Sequence, residues 1–248
     1  MGLRELLTRA GRQRFSLERN IKKATNKWMQ GQDRMKALEA LREVGSEEAI
    51  AGLLRRFGVQ SDKSIEDEQE KEWVFETLVE MGDRALPPLM RALRNAETIS
   101  WPLRVAEKLL VDRDRLWAAI EEQVLGSMEP GYERDPTRKL QILTYLADMR
   151  DRRVAPAVAP YLGDADETVR FTTVETLLRQ RDEVARDPLL ERLGDESEES
   201  RRIKVRISEG LADLGWDVKG FRGQIEKALP EEFQLDRDGH VKRKKASA

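Results

Sequence analysis

Apolar residues recur along this chain at the three- and four-residue spacing of an amphipathic helix. Val169, Val174 and Leu177 mark one long stretch of this kind, and Val154 and Val158 mark a shorter one. A small polar or acidic residue suited to helix capping follows each of several long stretches and precedes a shorter one. These residues are Ser46, Asp83, Asp151, Asp182 and Asp217. The repeating unit that this pattern predicts is a helix, a tight turn and a second helix.

The ends of the long stretches repeat with a mean spacing of 34 residues. They begin at Leu41, Leu78, Leu110, Leu146, Leu177 and Leu211. A basic residue recurs inside the first helix of each unit in a second register: Arg34, Lys71, Arg104, Lys139, Arg170 and Lys204. A period of this length is typical of stacked helical repeats, because neither helix of a pair can bury its apolar stripe alone.

Polar residues also indicate where several first helices begin. Ser64 precedes Ile-Glu-Asp, Asp135 precedes Pro136, and Asp164 opens Ala-Asp-Glu-Thr-Val-Arg. Ser, Thr and Asp side chains accept hydrogen bonds from the first helical turn, and proline is favoured there. Strand signals are nearly absent, so the sequence predicts an all-α fold.

This repeat pattern resembles the HEAT-repeat family, and in particular its short bacterial-type repeats. The resemblance rests on Asp164-Ala-Asp-Glu-Thr-Val-Arg170 and on Leu-Ala-Asp-Leu-Gly215, and it covers six repeats over residues 33–229. It implies a right-handed α-solenoid of the armadillo type, in which the turn Asp and the helix Val-Arg pair form ladders between neighbouring repeats. The third repeat departs most, with Trp101-Pro102 inside its first helix and no consensus glycine at its turn.

The charges divide the chain into basic ends and an acidic body. Charged residues make up 37% of the chain, with 45 Lys and Arg against 47 Asp and Glu. Residues 1–32 carry eight basic and two acidic side chains, residues 236–248 carry five and two, and the residues between them have a balance of −11. We therefore predict a basic N-terminal helical cap over 1–32, a solenoid over 33–229, and a basic tail over 230–248 that forms a small hairpin and then becomes disordered.

The N-terminal segment has two interpretations that are compatible with each other. Ser16 is suited to cap a helix in which Leu17, Ile21, Ala24 and Trp28 form one apolar stripe. That stripe would close the first repeat, as the end of a solenoid requires. The basic face would remain free to bind anionic lipid, nucleic acid or an acidic partner.

The sequence offers little for catalysis or for binding a cofactor. It has no cysteine, a single histidine at position 240, and no glycine-rich phosphate loop. Acidic pairs such as those among Glu66, Asp67, Glu68 and Glu70 do not indicate catalysis, because 47 carboxylates create such pairs by chance. We predict no catalytic residues, no metal and no cofactor. No window resembles a membrane span or a secretory signal, so a cytoplasmic location is expected.

Three classes of HEAT-like enzyme are alternatives to a binding protein. Deoxyhypusine hydroxylases hold iron with repeated His-Glu pairs, which one tail histidine cannot supply. Bilin lyases lack a short motif that would settle the comparison. Alkylpurine DNA glycosylases use aromatic and basic residues in a cleft, but the six predicted second helices here carry 14 basic and 13 acidic side chains, a weak charge for binding DNA. Most of the five tryptophans fall at apolar-stripe positions, where a core role is expected.

The predicted function is that of a non-enzymatic scaffold or adaptor that binds protein partners on its solenoid surface. Nucleic-acid binding and recruitment to a membrane surface through the N-terminal helix are the alternatives, and the oligomeric state is not predicted. The candidate interaction residues are Arg19, Lys22, Lys23 and Lys27 on the N-terminal helix, and Arg55, Arg56, Arg91, Arg94, Arg152, Arg153, Lys219 and Arg222 on the second helices.

Overall fold

The chain divides into two compact units, Met1–Ser127 and Met128–Ala248. The structure, a computed structural model, describes residues 8–244. Within that range the regular structure is helical apart from one small hairpin of strands, which confirms the predicted all-α class. No helix among these residues combines the length and the apolar character needed to cross a membrane.

Unit 1 holds an N-terminal helix and three helical hairpins. Its helices are α1 (Arg9–Ala24), α2 (Gly31–Val44), α3 (Glu47–Arg55), α4 (Ser64–Met81), α5 (Leu86–Asn95), α6 (Ser100–Leu109) and α7 (Arg113–Gln123). The first helices α2, α4 and α6 contact one another in turn, and so do the second helices α3, α5 and α7. This order of stacking is the predicted α-solenoid arrangement.

Unit 2 repeats the same arrangement with three further hairpins. Its helices are α8 (Thr137–Asp148), α9 (Val154–Val158), α10 (Glu167–Gln180), α11 (Arg186–Gly194), α12 (Arg201–Leu214) and α13 (Arg222–Ala228). Here α10 contacts both α8 and α12, and α11 contacts α13. The two strands β1 (Phe233–Leu235) and β2 (Val241–Arg243) pair antiparallel, and β2 packs on α12. The end of the basic tail, residues 245–248, lies outside the described residues.

The first helices α2, α4, α10 and α12 end where the repeat register predicts, whereas α6 ends at Leu109, before the predicted segment that begins at Leu110. Gly45 after α2, Gly82 after α4 and Gly215 after α12 all have positive φ, between 55° and 68°. Glycine adopts this left-handed conformation without the steric cost that a Cβ imposes. Arg181 occupies the same position after α10, with φ 55°, although it carries a side chain.

Helix α1 packs against α2 and α3, in the position of the predicted cap. Ala24 is fully buried there, and Ile21 lies against Gly52 of α3. A Cβ on Gly52 would stand 2.7 Å from Cγ1 of Ile21, so the glycine permits the close approach of the two helices.

The ends of α1 differ from the prediction. The helix begins after Thr8, whose hydroxyl accepts a hydrogen bond from the Gly11 N–H, and Ser16 lies inside it. It ends at Ala24, so the apolar stripe does not continue to Trp28. The predicted start of α10 is also wrong by two residues, because the capping carboxylate belongs to Asp166 and not to Asp164.

The third repeat accommodates its unusual sequence through the position of its proline. Pro102 stands in the first turn of α6, where its missing N–H has no helical acceptor to lose. The Trp101 ring stacks on Phe57 with ring centroids 5.4 Å apart. The ring therefore fills space between the first and third repeats of unit 1.

Candidate functional site

A cleft of about 710 Å³ opens in unit 1 between the α1–α2 connection and the start of α4. It is lined by residues 27–32, by Arg34 and Met35 of α2, by residues 61–63, and by Glu66, Gln69 and Glu70 of α4. Trp28 stands in this lining with 74% of its surface exposed. An exposed tryptophan beside a cleft of this size is typical of a site that receives a ligand or a partner side chain.

The backbone that carries Trp28 is held from both sides. The Trp28 N–H donates to Oδ1 of Asn26 at 3.0 Å, which forms a local turn. Nη1 of Arg34 donates to the Met29 carbonyl at 2.5 Å. The Lys27 ammonium lies 4.6 Å from the Trp28 ring centroid, within range of a cation–π interaction. Trp28 is thus presented to solvent from an ordered loop.

A buried network of charges forms the wall of the cleft and joins α2 to α4. Glu70 accepts two hydrogen bonds at 2.8 Å from Nε and Nη2 of Arg34, and a third at 2.9 Å from Nε of Arg56. Nη2 of Arg56 also donates to Asp67 at 2.6 Å, and Lys71 pairs with the other oxygen of Asp67 at 2.6 Å. All five side chains are buried. The network therefore fixes the first repeat against the second.

The charge states in this network follow from the same contacts. Burial raises the pKa of Asp67, but the hydrogen bonds from Lys71 and Arg56 outweigh it and lower the pKa to about 2. The hydrogen bond to Glu70 raises the pKa of the Arg34 guanidinium. Both groups are therefore ionised at neutral pH, as the geometry of the ion pairs requires.

The network gives two acidic residues of this segment a structural role. Asp67 and Glu70 are buried, whereas Glu68 is exposed and Glu66 is partly exposed. The spacing of three residues that places Asp67 and Glu70 on one face of α4 is visible in the sequence. Their burial is not, since it depends on Arg34 and Arg56 arriving from the preceding repeat.

A second exposed apolar side chain borders the same region. Ile65, at the start of α4, is 73% exposed, and it lies in a shallow depression together with Ser64, Glu68, Gln69 and Glu72. Gln69 lines both this depression and the cleft beside Trp28. The exposure of Ile65 is not visible in the sequence, because isoleucine at helical spacing is usually a core residue.

The four N-terminal candidates lie on α1 and on the connection that follows it. Arg19, Lys22 and Lys27 are exposed, and Lys23 is half-buried. Lys27 lines the cleft, whereas the other three precede it on α1. These residues are accessible, and their role in binding stays a prediction.

Among the second-helix candidates in unit 1, the prediction that Arg56 lies on an interaction surface is wrong. Its side chain is fully buried and bound to Glu70 and Asp67, because the end of α3 turns it inward beneath α4. It therefore cannot belong to an interaction surface. The other three are exposed. Arg91 pairs with Glu47, Arg94 donates to Gln123 at 3.0 Å, and Arg55 forms no ion pair among the described residues.

Two of the four candidates of unit 2 are bound to other groups of that unit. Arg153 binds Asp151 through two hydrogen bonds of 2.9 and 2.6 Å, and Arg222 binds Glu226 and the carbonyls of Asp236 and Arg237. Arg152 and Lys219 are exposed at the starts of their second helices.

Unit 2 contains ion-pair ladders of the kind that the family resemblance implies. Lys139 of α8 donates to Asp164 at 2.8 Å, and both side chains are buried. Arg170 of α10 donates to Glu198 at 2.9 Å from Nε and at 3.1 Å from Nη2. These pairs link the first helix of one repeat to the segment before the first helix of the next, so Asp164 serves the ladder while Asp166 caps the helix.

The first ladder also holds the inserted loop 126–132. Nζ of Lys139 donates to the Gly131 carbonyl at 2.8 Å, and the Gly131 N–H donates to Asp164 at 3.0 Å. The adjacent Tyr132 is 87% exposed. A buried ion pair thus fixes the base of a loop that presents a tyrosine to solvent.

Among residues 8–244, no cluster of three or more His, Asp or Glu side chains has the geometry of a metal site. The buried ionisable groups of the cleft wall bind one another, and the rest of the lining consists of Trp28, two methionines, two lysines, the carboxylates of Asp62 and Glu66, and uncharged residues. This arrangement is suited to receiving an apolar side chain with a polar surrounding.

Comparison with known proteins gives one family match. The family model described as HEAT repeats matches residues 132–208, from the inserted loop to the middle of α12. No curated protein sequence is significantly similar to the chain. A solved structure of human deoxyhypusine hydroxylase in complex with glycerol is 17% identical over 89% of this chain and 91% of that one, with a TM-score of 0.30, which is too low to transfer an activity. Residues 132–208 of this chain are therefore similar to HEAT repeats.

Proposed function

We propose that this chain is a non-enzymatic helical-repeat adaptor that binds a protein partner at the cleft beside Trp28. The observation that carries the proposal is the 74% exposure of Trp28 on a loop that Asn26 and the buried Arg34 hold in place. Tryptophan is enriched among the residues that dominate the energy of protein interfaces. Leaving so large an apolar surface in water is unfavourable, so a site that orders it there is best explained by a partner that covers it.

The surroundings of Trp28 support a protein ligand. The cleft combines apolar lining from Met29 and Met35 with charged side chains at its edge. Methionine adapts its shape to different apolar side chains, which suits a surface that receives part of a protein chain. Ile65 extends the apolar area beyond the cleft, on the side that Gln69 shares with it.

The test is site-specific photo-cross-linking in cells of the native source. A photoreactive phenylalanine analogue replaces Trp28 in one variant and Val111, which is 86% exposed elsewhere in unit 1, in the control. We expect a discrete protein adduct from position 28 and none from position 111. The adduct should keep its mass after nuclease treatment, whereas a cross-linked nucleic acid would be degraded. Adducts of equal yield from both positions, or none from position 28, would overturn the proposal.

A further inference from the structure

The face of α1 that points away from the solenoid carries a row of cations around one aromatic ring. Arg12, Phe15, Arg19 and Lys22 follow one another at spacings of three, four and three residues, which places them on one side of a helix. All four are exposed, and Phe15 retains 50% of its surface in water. Lys23 borders the row. We call Arg12, Arg19, Lys22 and Lys23, with Phe15 among them, the α1 basic stripe.

The cations of this stripe have no counter-charge within the described part of the chain. Arg12, Arg19, Lys22 and Lys23 form no ion pair there, whereas Arg14 of the same helix pairs with Glu18 at 3.4 Å. Exposed arginines elsewhere in unit 1 behave differently, because Arg42, Arg91 and Arg104 each pair with a glutamate of a neighbouring helix. The stripe therefore places four cations that form no ion pair among the described residues close together on one short helix.

We infer that the α1 basic stripe binds an acidic helical segment of the partner protein. Its length of about 15 Å, from Arg12 to Lys22, corresponds to three turns of helix. An apolar residue at its centre with cations on both sides matches the apolar core and polar rim of a small helix-to-helix contact. The complementary segment has glutamate or aspartate at positions three and four residues apart around one apolar side chain.

The charge and packing of unit 1 disfavour the two other polyanions that a basic helix binds. Residues 33–127 carry 14 basic and 20 acidic side chains, so a long nucleic acid or an anionic membrane would meet repulsion beyond α1. The apolar side of α1, with Ile21 and Ala24, is occupied by packing on α2 and α3 and is not free to enter a bilayer. A short acidic segment satisfies the stripe without extending over the acidic surface.

This inference rests on the proposed function, since the acidic segment would belong to the partner that covers Trp28. Lys27 connects the two surfaces, because it follows α1 and lines the cleft. The proposed function and the binding of an acidic segment can still fail separately. Cross-linking from position 28 that persists after the stripe is reversed in charge would keep the adaptor and remove the acidic segment.

The experiment measures binding of the full chain to a synthetic amphipathic helix by fluorescence anisotropy. The probe has three glutamates and one leucine on one face, and its control has glutamine in place of each glutamate. The stripe variant carries Arg12→Glu, Arg19→Glu and Lys22→Glu. The matched variant carries the same change of charge at exposed cations elsewhere in unit 1, as Lys36→Glu, Lys108→Glu and Arg115→Glu. Circular dichroism verifies that both variants keep the helical content of the wild type.

We expect the acidic probe to bind at least about tenfold more tightly to the wild type than to the stripe variant, since several charge contacts are reversed. The matched variant should change the affinity less than threefold, and the glutamine probe should bind weakly to all three proteins. Phe15→Ala should weaken binding of the acidic probe without changing that of the glutamine probe. Equal loss in both charge variants, or no binding of the acidic probe, would overturn the inference.

Anionic vesicles of phosphatidylcholine and phosphatidylserine and a 20-nucleotide RNA are tested in parallel. Stripe-dependent binding of either one that exceeds the affinity for the acidic probe would overturn the inference in favour of that ligand. Weaker or stripe-independent binding of both supports the acidic segment.

Discussion

Replacing Glu70 by glutamine removes the charge that two buried guanidinium groups share. Arg34 and Arg56 are 2% and 0% exposed, and Glu70 accepts hydrogen bonds from both. A glutamine keeps the shape but offers one acceptor oxygen, and its amide N–H groups would point at N–H donors. Breaking a buried ion pair on one side costs about 3–5 kcal/mol. With a urea dependence of about 2 kcal/mol per molar, the unfolding midpoint of unit 1 should fall by about 1.5–2.5 M.

Tryptophan fluorescence is the suitable assay, because it reports mainly on unit 1. Four of the five tryptophans, at positions 28, 73, 101 and 117, lie in that unit. The matched control is Glu76→Gln, which removes an exposed carboxylate from the same helix and should change the free energy of unfolding by less than about 0.5 kcal/mol. If Glu70→Gln lowers the midpoint no more than Glu76→Gln, the buried network does not hold the first two repeats together and the reasoning is refuted.

Three further predictions concern other parts of the fold. Gly210→Ala places a Cβ 2.3 Å from Cδ2 of Leu178, so unit 2 should lose about 1–3 kcal/mol of stability, and an unchanged thermal midpoint by circular dichroism would contradict the close packing. Arg181→Gly removes the steric strain of a side chain in the left-handed conformation and should stabilise unit 2 by up to about 1 kcal/mol, so a lower urea midpoint would contradict that conformation. The pKa of Asp67 is lowered from 3.8 to about 2, so its contribution of about 2 kcal/mol to the free energy of unfolding is present above pH 3.8 and is lost as the pH falls towards 2. The difference in stability between the wild type and Asp67→Asn should therefore shrink over that range, and a constant difference would refute the lowered pKa.

The repeat architecture was predictable because its signals are local and recur. The spacing of the helix-end leucines gave the number and order of the hairpins, and the positive-φ glycines at 45, 82 and 215 fell where that spacing placed them. Each of these signals needs only a few neighbouring residues to be interpreted.

The candidate site was less predictable because it depends on contacts between distant residues and on one early helix end. Asp67 and Glu70 look like solvated acids until Arg34 and Arg56, 36 and 14 residues from Glu70, are placed beside them. Trp28 fits the apolar stripe of α1 only if that helix continues, and it ends four residues earlier. Burial and exposure of this kind follow from tertiary packing and not from local pattern.

Lys139 and Asp164 both form hydrogen bonds with Gly131, so the order of a surface loop depends on the packing of two repeats against each other. The Gly131 N–H donates to a carboxylate that lies between α9 and α10, whereas Lys139 belongs to α8. Any opening that separates these repeats also exposes this amide to water, so its hydrogen-exchange rate should follow the same opening free energy as the interior amides of α10. The exchange rate of this one loop amide would thereby measure the cooperative separation of two packed repeats.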